Sequence, residues 1–578
     1  MKGLFSSLKL YKKESILAPL FKMLEAAFDL IVPLIMADII NTGIAGQDLP
    51  YILKRSGLLV ILALVGFACS VTAQYFAARA AVGCAAALRR SLFAHIQSLG
   101  FSELDALGPS TLVTRMTSDI NQVQSGVNLF LRLFLRSPFV VFGAMVMAFT
   151  VDRQIALVFA AAIPALAAVI FGIMLWTMPL YKKVQARLDR ILGITRENLS
   201  GVRVVRAFNR ETAEIQRFET ANGALAGTQC KVGRISALMN PLTYLIVNLA
   251  VIAILHSGAA AVDAGRLLPG DLVALISYMT QILIELVKLA NLIIQVTKAV
   301  ACAGRVQSVL DIQPAMQFPE ALSPRPQGNG EAVRFTHVSL RYRGAGAESL
   351  TDISFEALCG QTIGVIGGTG SGKSSLVNLI PRFYDASAGE IRVLGRPVQD
   401  WPREVLRKKI GTVMQRAQLF SGTVRSNLCW GCAGASDTQL WAALETAQAA
   451  DFVHAAPGGL DAPVEQGGRN FSGGQRQRLT IARALVTEPE ILILDDSASA
   501  LDFATDAALR RALAALAGKT TIFIVSQRTS SLRHADQILV LDDGHLAGCG
   551  THDGLLASCA VYREIYESQF QKGDAAHA

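Results

Sequence analysis

The chain has 578 residues, 52% of them hydrophobic and 17% charged, with a formal net charge of +9 and a mean hydropathy of +0.39. That length exceeds what one hydrophobic core organises, and the hydropathy excludes an ordinary soluble globule and points to membrane segments. The positive charge fits either a nucleic-acid binder or basic cytoplasmic loops, and its placement along the chain decides between them.

The N-terminal stretch MKGLFSSLKLYKKESI is basic and runs into an apolar segment. That segment is too long for a signal peptide and has no small-residue cleavage site after it, so a cytoplasmic elbow is expected. Six long apolar stretches follow, at about 16–42, 55–82, 127–150, 154–178, 237–260 and 270–296. Most exceed the ~20 residues that cross a bilayer as a helix. The third is the least clean, because Arg132 and Arg136 sit near its start; they are expected to snorkel to the interface or to line the bundle.

Charges inside the spans are costly. Glu25 and Asp29 lie four apart, on one helix face, with Asp38 further on and Glu285 and Lys288 in the sixth span. Two readings stay open: a pathway for cationic amphiphiles, or structural pairs with Lys or Arg of a neighbouring helix. The segment from Tyr181 to Arg234 carries eleven Lys/Arg against five Asp/Glu, and the loop around Arg89, Arg90 and Arg115 is also basic. By the positive-inside tendency both loops and both termini are expected on the cytoplasmic side, which accounts for much of the charge without nucleic acid. These long loops lack turn signals and are expected to extend the membrane helices; the outer connections, such as Asp152-Arg153, are short.

Residues 312–332 hold four prolines and two glycines and read as a linker. Beyond it, short β-branched runs alternate with amphipathic helices, the pattern of a soluble α/β domain with buried parallel strands. The nine cysteines show no framework spacing and read as reduced or buried thiols; Cys429 and Cys432 form a C-x-x-C with no second pair or His to complete a metal site.

The strongest local signal is G-G-T-G-S-G-K-S, Gly367 to Ser374, after the strand QTIGVI and at the start of a helix. Gly367, Gly368, Thr369, Gly370, Ser371 and Gly372 are expected to wrap phosphates with backbone N–H groups, Lys373 to reach the terminal phosphates, Ser374 to ligate Mg²⁺, and Ser375 to stand in the first helical turn. ILILDD, Ile491 to Asp496, reads as a buried strand that delivers Asp495 to the same ion.

Before that strand stands N-F-S-G-G-Q-R-Q-R-L-T-I-A-R-A-L, Asn470 to Leu485. Here the sequence resembles the ATP-binding cassette (ABC) transporter family, with F-S-G-G-Q in place of the usual L-S-G-G-Q signature. The resemblance implies that Ser472, Gly473, Gly474 and Gln475 cap the γ-phosphate of an ATP held by another cassette. It implies that Tyr342 stacks on adenine, that Gln415 contacts Mg²⁺ and senses the membrane domain, and that S-A-L-D, Ser499 to Asp502, is the D-loop. Thr114 to Gln124 and Glu197 to Glu211 look like the cytoplasmic stretches of exporter-type half-transporters, which in the family end in short coupling helices that dock onto cassettes.

The resemblance covers nearly the whole chain. It implies a membrane domain of six transmembrane helices with the type I ABC exporter fold over 1–311, then the 312–332 linker and an α/β P-loop nucleotide-binding domain over 333–578. ATP and Mg²⁺ are the expected cofactors. Expected partners are a second half-transporter chain, the lipid bilayer of a bacterial cytoplasmic membrane, and a drug-like, lipid or peptide cargo; no nucleic acid is expected.

Two positions depart from an efficient ATPase. The residue after Asp495, normally Glu, is Asp496, and the strand IFIVS ends in Gln527 and Arg528 where the family has His-Arg. Asp is shorter by about one C–C bond, ~1.5 Å, and a misplacement of ~1 Å can cost on the order of 10²-fold in rate. Gln527 can hydrogen-bond a phosphate but cannot become cationic. A degenerate site is therefore expected, paired in a heterodimer with a chain that keeps Glu and His. A smaller departure is Gln466 in V-E-Q-G-G-R, where many exporters have Glu. Export is expected over a purely regulatory subunit, since the six-span bundle and coupling-loop motifs are complete, and over import, whose cassettes are usually separate chains; a lipid flippase fits within the exporter reading.

Overall fold

The structure, a computed structural model, describes residues 2–322, 330–497 and 500–574. Part of the expected linker, 323–329, and Ser499 of the S-A-L-D motif lie outside the described residues. The chain divides into two compact units. The first holds the residues up to Gln97 together with Pro109–Ile312; the second holds Ser98–Gly108 together with the chain from Gln313 onward.

The first unit is all helix. Leu49–Ser98, Arg153–Ser200 and Pro269–Leu310 run for 50, 48 and 42 residues. At ~1.5 Å per residue the longest extends for about 75 Å, well past the ~30 Å hydrocarbon core, so these helices continue beyond any bilayer. Five helical stretches are long and apolar enough to cross a membrane: Leu49–Ser98, Pro109–Val151, Arg153–Ser200, Glu211–Asp263 and Pro269–Leu310. The first expected span, 16–42, falls largely on the helix Lys12–Asp38, which is 27 residues long but carries Lys22, Glu25 and Asp29 in its middle. The outer connection after Val151 is as short as expected. Asp152 alone separates two helices, and its carboxylate caps the next one by accepting from the N–H groups of Gln154 (2.7 Å) and Ile155 (2.9 Å).

The charges of Lys12–Asp38 are satisfied inside the bundle. Lys22 Nζ stands 2.6 Å from Glu25 and donates to Ser70 Oγ at 3.1 Å. Asp29 pairs with Arg136 at 2.9 Å, and Arg136 also meets Glu285 at 2.5 Å. Glu285 takes further hydrogen bonds from Ser137 and Lys288, each at 2.8 Å. Three cations thus face three carboxylates, two of the pairs within one helix and Arg136 bridging helices from different parts of the chain, which helps such charges persist. Arg136 lines the bundle and gives Asp29 a partner on a neighbouring helix, whereas Glu25 pairs with Lys22 of its own helix. Asp38 is likewise engaged, by Arg55 at 2.7 Å and by the Tyr51 hydroxyl at 2.8 Å.

The second unit is built on a six-stranded sheet in the order His545–Gly550, Gln537–Asp542, Thr362–Gly367, Thr521–Val525, Ile491–Asp495, Ile410–Val413. All pairings are parallel except the closing hairpin of the first two. Ile491–Asp495 is buried along its whole length, as its unbroken apolar run requires of a central parallel strand. A second sheet, antiparallel, orders Leu350–Leu358, Glu331–Leu340, Ala388–Val393 and Arg396–Pro397, and its Phe335 and Phe355 rings stack at 4.7 Å in the shared core. The short helix Phe101–Leu107 packs within this unit, between a Gly100 N-cap and Gly108 at φ 72°. Phe101 lies 4.6 Å from the Phe383 ring, and Tyr384 donates to Asp105 at 2.6 Å.

Candidate functional site

Thr362–Gly367 occupies the middle of the parallel sheet, and past its C-terminal end the chain turns into the helix Lys373–Leu379. Open parallel sheets take their ligands at such a place. The turn requires glycine: Gly370 and Gly372 have φ of 85° and 93°, and a Cβ on Gly372 would stand 2.7 Å from the Ser349 carbonyl oxygen. Lys373 Nζ is held over the loop by the carbonyls of Gly367 (3.0 Å) and Gly368 (2.6 Å) and by Ser371 Oγ (3.3 Å). Burial pulls its pKa below the usual lysine value, against the raising effect of Asp496 and Asp495.

Asp495 emerges at the end of its strand, where Ser374 Oγ donates to it at 3.0 Å. Burial lifts its carboxyl above the usual carboxylate range, the Ser374 bond opposes this, and the neighbouring Asp496 adds to it. Hydroxyl, carboxylate and the Gln415 amide form an oxygen-rich donor set of the kind a hard divalent cation takes beside phosphates. Asp496 has a left-handed backbone, φ 47°, fixed by its N–H on the Val525 carbonyl at 3.1 Å. Its Oδ2 lies 3.5 Å from Gln415 Nε2. Gln527 follows the strand Thr521–Val525, and its backbone carbonyl accepts from Gln569 Nε2 at 2.7 Å.

One cavity of about 280 Å³ brings together Thr369, Gly370, Gly372, Lys373, Ser374, Ser375, Gln415, Asp495, Asp496 and Gln527. Gly367, Gly368 and Ser371 stand behind it and hold the lysine. Tyr342 is off this cavity but tied to it, donating to Ser375 Oγ at 2.9 Å and meeting Tyr384 edge-on at 5.0 Å.

Ser472, Gly473, Gly474 and Gln475 do not line the cavity. Ser472 is the exposed N-cap of the helix Gly473–Leu485, in a capping box with Gln475 (2.9 and 3.2 Å), so the first amides of that helix face outward. Ser349 and Ser526 also line the cavity, and Gln569 grips its edge; the sequence carried no signal for these three, since each acts from an ordinary strand end or helix position.

The profile of the ABC transporter transmembrane region matches residues 15–286, and that of the ABC transporter cassette matches residues 350–499. An uncharacterized ABC transporter ATP-binding protein of Bacillus subtilis, YfiB, is 36% identical over 570 residues, covering 99% of each chain. An ATP-dependent lipid A-core flippase of Vibrio vulnificus is 27% identical over 573 residues, 99% of this chain and 98% of its own. Among solved structures, a bacterial Atm1-family ABC exporter with ATP bound superimposes with a TM-score of 0.79 at 25% identity, covering 97% of this chain and 98% of its own. The chain therefore belongs to the ABC transporter family, as an ATP-hydrolysing exporter with its multi-pass membrane domain and its cassette fused in one polypeptide.

Proposed function

We propose that this chain is the degenerate-site half of a heterodimeric exporter that moves hydrophobic or amphipathic molecules across a bacterial cytoplasmic membrane. Both termini and the cassette lie on the cytoplasmic side. The domains run over 1–311 and 333–578, joined by 312–332. The observation that carries the reading is the pair Asp496 and Gln527 on the wall of the P-loop cavity, where a water-polarising Glu and a His would stand in a fast site.

ATP binds with adenine on Tyr342, its phosphates in the amides of Gly367–Ser375 and its terminal phosphates on Lys373. Ser374, Asp495 and Gln415 would hold Mg²⁺, which would supply positive charge against the phosphates. Asp496 lies too far back to align the attacking water, and Gln527 offers the γ-phosphate a hydrogen bond without a positive charge. The outward-facing signature Ser472–Gln475 serves the partner's ATP instead, so hydrolysis proceeds at the partner's site and resets the cycle of alternating access.

Two surfaces support a partner chain. The short helix Val202–Ala207 and the residues flanking it expose Leu199, Val202, Val204 and Phe208 to solvent, an apolar patch suited to docking as a coupling helix on the partner's cassette. The cassette in turn has an open groove of about 860 Å³ beside Gln415, Phe420 and Gln466, suited to receive the partner's equivalent. The relative named as a lipid A-core flippase supports an amphipathic lipid among the cargoes.

Affinity purification of the tagged chain from its native membrane, with mass spectrometry of what accompanies it, tests the reading. A stoichiometric second half-transporter with Glu and His at the two positions is expected. Recovery of this chain only with itself would contradict the heterodimer and favour a regulatory role.

A further inference from the structure

A second cavity in the cassette, of about 370 Å³, lies away from the P-loop, between the helix Phe503–Ala514 and the turn Thr529–Ser531. That volume is in the range of small-molecule sites. Its floor is apolar, made by Leu513, Ile522 and Ile524, and its rim carries Arg510, Arg511 and His534. Ser531 also lines it; that residue is 7% exposed, and its buried Oγ has no hydrogen-bond partner.

The charge at the rim is positive. Arg510 is bound to the buried Asp506 at 2.9 Å and donates to the Ser530 carbonyl at 2.9 Å. Asp536, the other carboxylate near the rim, accepts from the Thr362 N–H at 2.7 Å. Among the described residues the guanidinium of Arg511 makes only a 3.4 Å contact, to the Ala507 carbonyl of its own helix, leaving its other donors available. A partner for this cavity combines an apolar body for the floor with an anionic group for Arg511.

The walls also belong to the nucleotide site. Ile522 and Ile524 precede Val525, Ser526 and Gln527, which line the ATP cavity. Phe503–Ala514 begins at the N-cap Asp502 of the D-loop motif. The segment between is gripped from the far side: Gln569 accepts from the N–H and hydroxyl of Thr529, both at 2.9 Å, and donates to the Gln527 carbonyl. The segment from Gln527 to Thr529, next to Ser531, is thereby tied to one side chain, which gives a ligand in this cavity a route to Gln527.

We propose that this cavity is an effector site for a small amphipathic anion, an apolar ring or short chain bearing one phosphate or carboxylate, and that filling it changes ATP turnover. The binding half of this inference is independent of the heterodimer reading.

The test uses the full chain in lipid nanodiscs with the nucleotide site saturated by a non-hydrolysable ATP analogue, and phenyl phosphate as probe, followed by calorimetry or ligand-observed NMR. Saturable binding is expected, about tenfold tighter than phenol or inorganic phosphate. Arg511→Glu should weaken it about tenfold or more, and Ala514→Trp, a change on the exposed edge of the helix that closes the mouth, should abolish it. With ATP in place of the analogue, saturating probe should shift turnover at least about twofold in the unmodified chain and leave Ala514→Trp unaffected. Binding indifferent to both substitutions, or equal for inorganic phosphate, would overturn the site; binding with unchanged turnover would overturn the effector role.

Discussion

Gln415 Nε2 and Asp496 Oδ2 stand 3.5 Å apart across the mouth of the P-loop cavity. That separation is beyond the 2.7–3.2 Å of a good N–H···O bond, and the left-handed backbone at Asp496, φ 47°, sets where its short side chain can reach. On the proposed degenerate-site reading, a carboxylate so placed contributes little to water activation. Asp496→Asn is therefore expected to change turnover at this site by less than about tenfold, where loss of a working general base costs about 10²–10⁴-fold. Single-turnover ATP hydrolysis by the purified chain measures the difference.

Lys373 behaves differently. Among the described residues its ammonium hydrogen-bonds only carbonyls and a hydroxyl of its own loop, so removing it should spare the fold and strip the phosphates of their main cation. Lys373→Ala is expected to weaken ATP binding by about 10²-fold with little change in thermal unfolding, read by equilibrium binding of a fluorescent nucleotide.

In the membrane domain Arg136 holds two carboxylates, one of them Glu285 at 5% side-chain exposure. Arg136→Met leaves Glu285 with Lys288 and the Ser137 hydroxyl but Asp29 without its cation, and should destabilise the domain by about 3–5 kcal/mol. Arg136→Met combined with Asp29→Asn should recover part of that loss, because the carboxylate left without a cation is gone. Thermal unfolding of the three proteins in one detergent tests this, and a double variant no more stable than the single one would refute it.

Gln569 binds the 527–529 segment through three hydrogen bonds. Gln569→Ala should raise amide exchange across residues 526–531 by about tenfold, whereas Gln569→Glu keeps the acceptor for Thr529 and loses only the donor to Gln527, giving an intermediate rate. Hydrogen–deuterium exchange of the intact chain reads both.

The P-loop, the strand ending in Asp495 and the signature helix were legible in the sequence because each is local: glycine spacing, an unbroken apolar run and an N-cap Ser followed by Gln three residues on all act within a few residues. The partners of the membrane charges were not. Asp29 and Arg136 are 107 residues apart in the chain; Pro138, which has no N–H for the Phe134 carbonyl, marks the break between Leu133 and Arg136, but nothing local says which carboxylates the arginine meets. The grouping of Phe101–Leu107 with the cassette was equally hidden, since it rests on Phe383 and Tyr384 far along the chain. Gln569 shows why even the nucleotide site was read incompletely: its role comes from where the last helix packs, and nothing in its neighbours announces it.

The central claim is that Asp496 and Gln527 make this chain's own ATP site slow, and the most direct measurement is steady-state ATP turnover of the purified chain beside Asp496→Glu/Gln527→His. The account predicts slow hydrolysis by the chain as it stands and a rise on the order of 10-fold or more in the double variant. Fast hydrolysis by the unmodified chain, unchanged by the two substitutions, would contradict it.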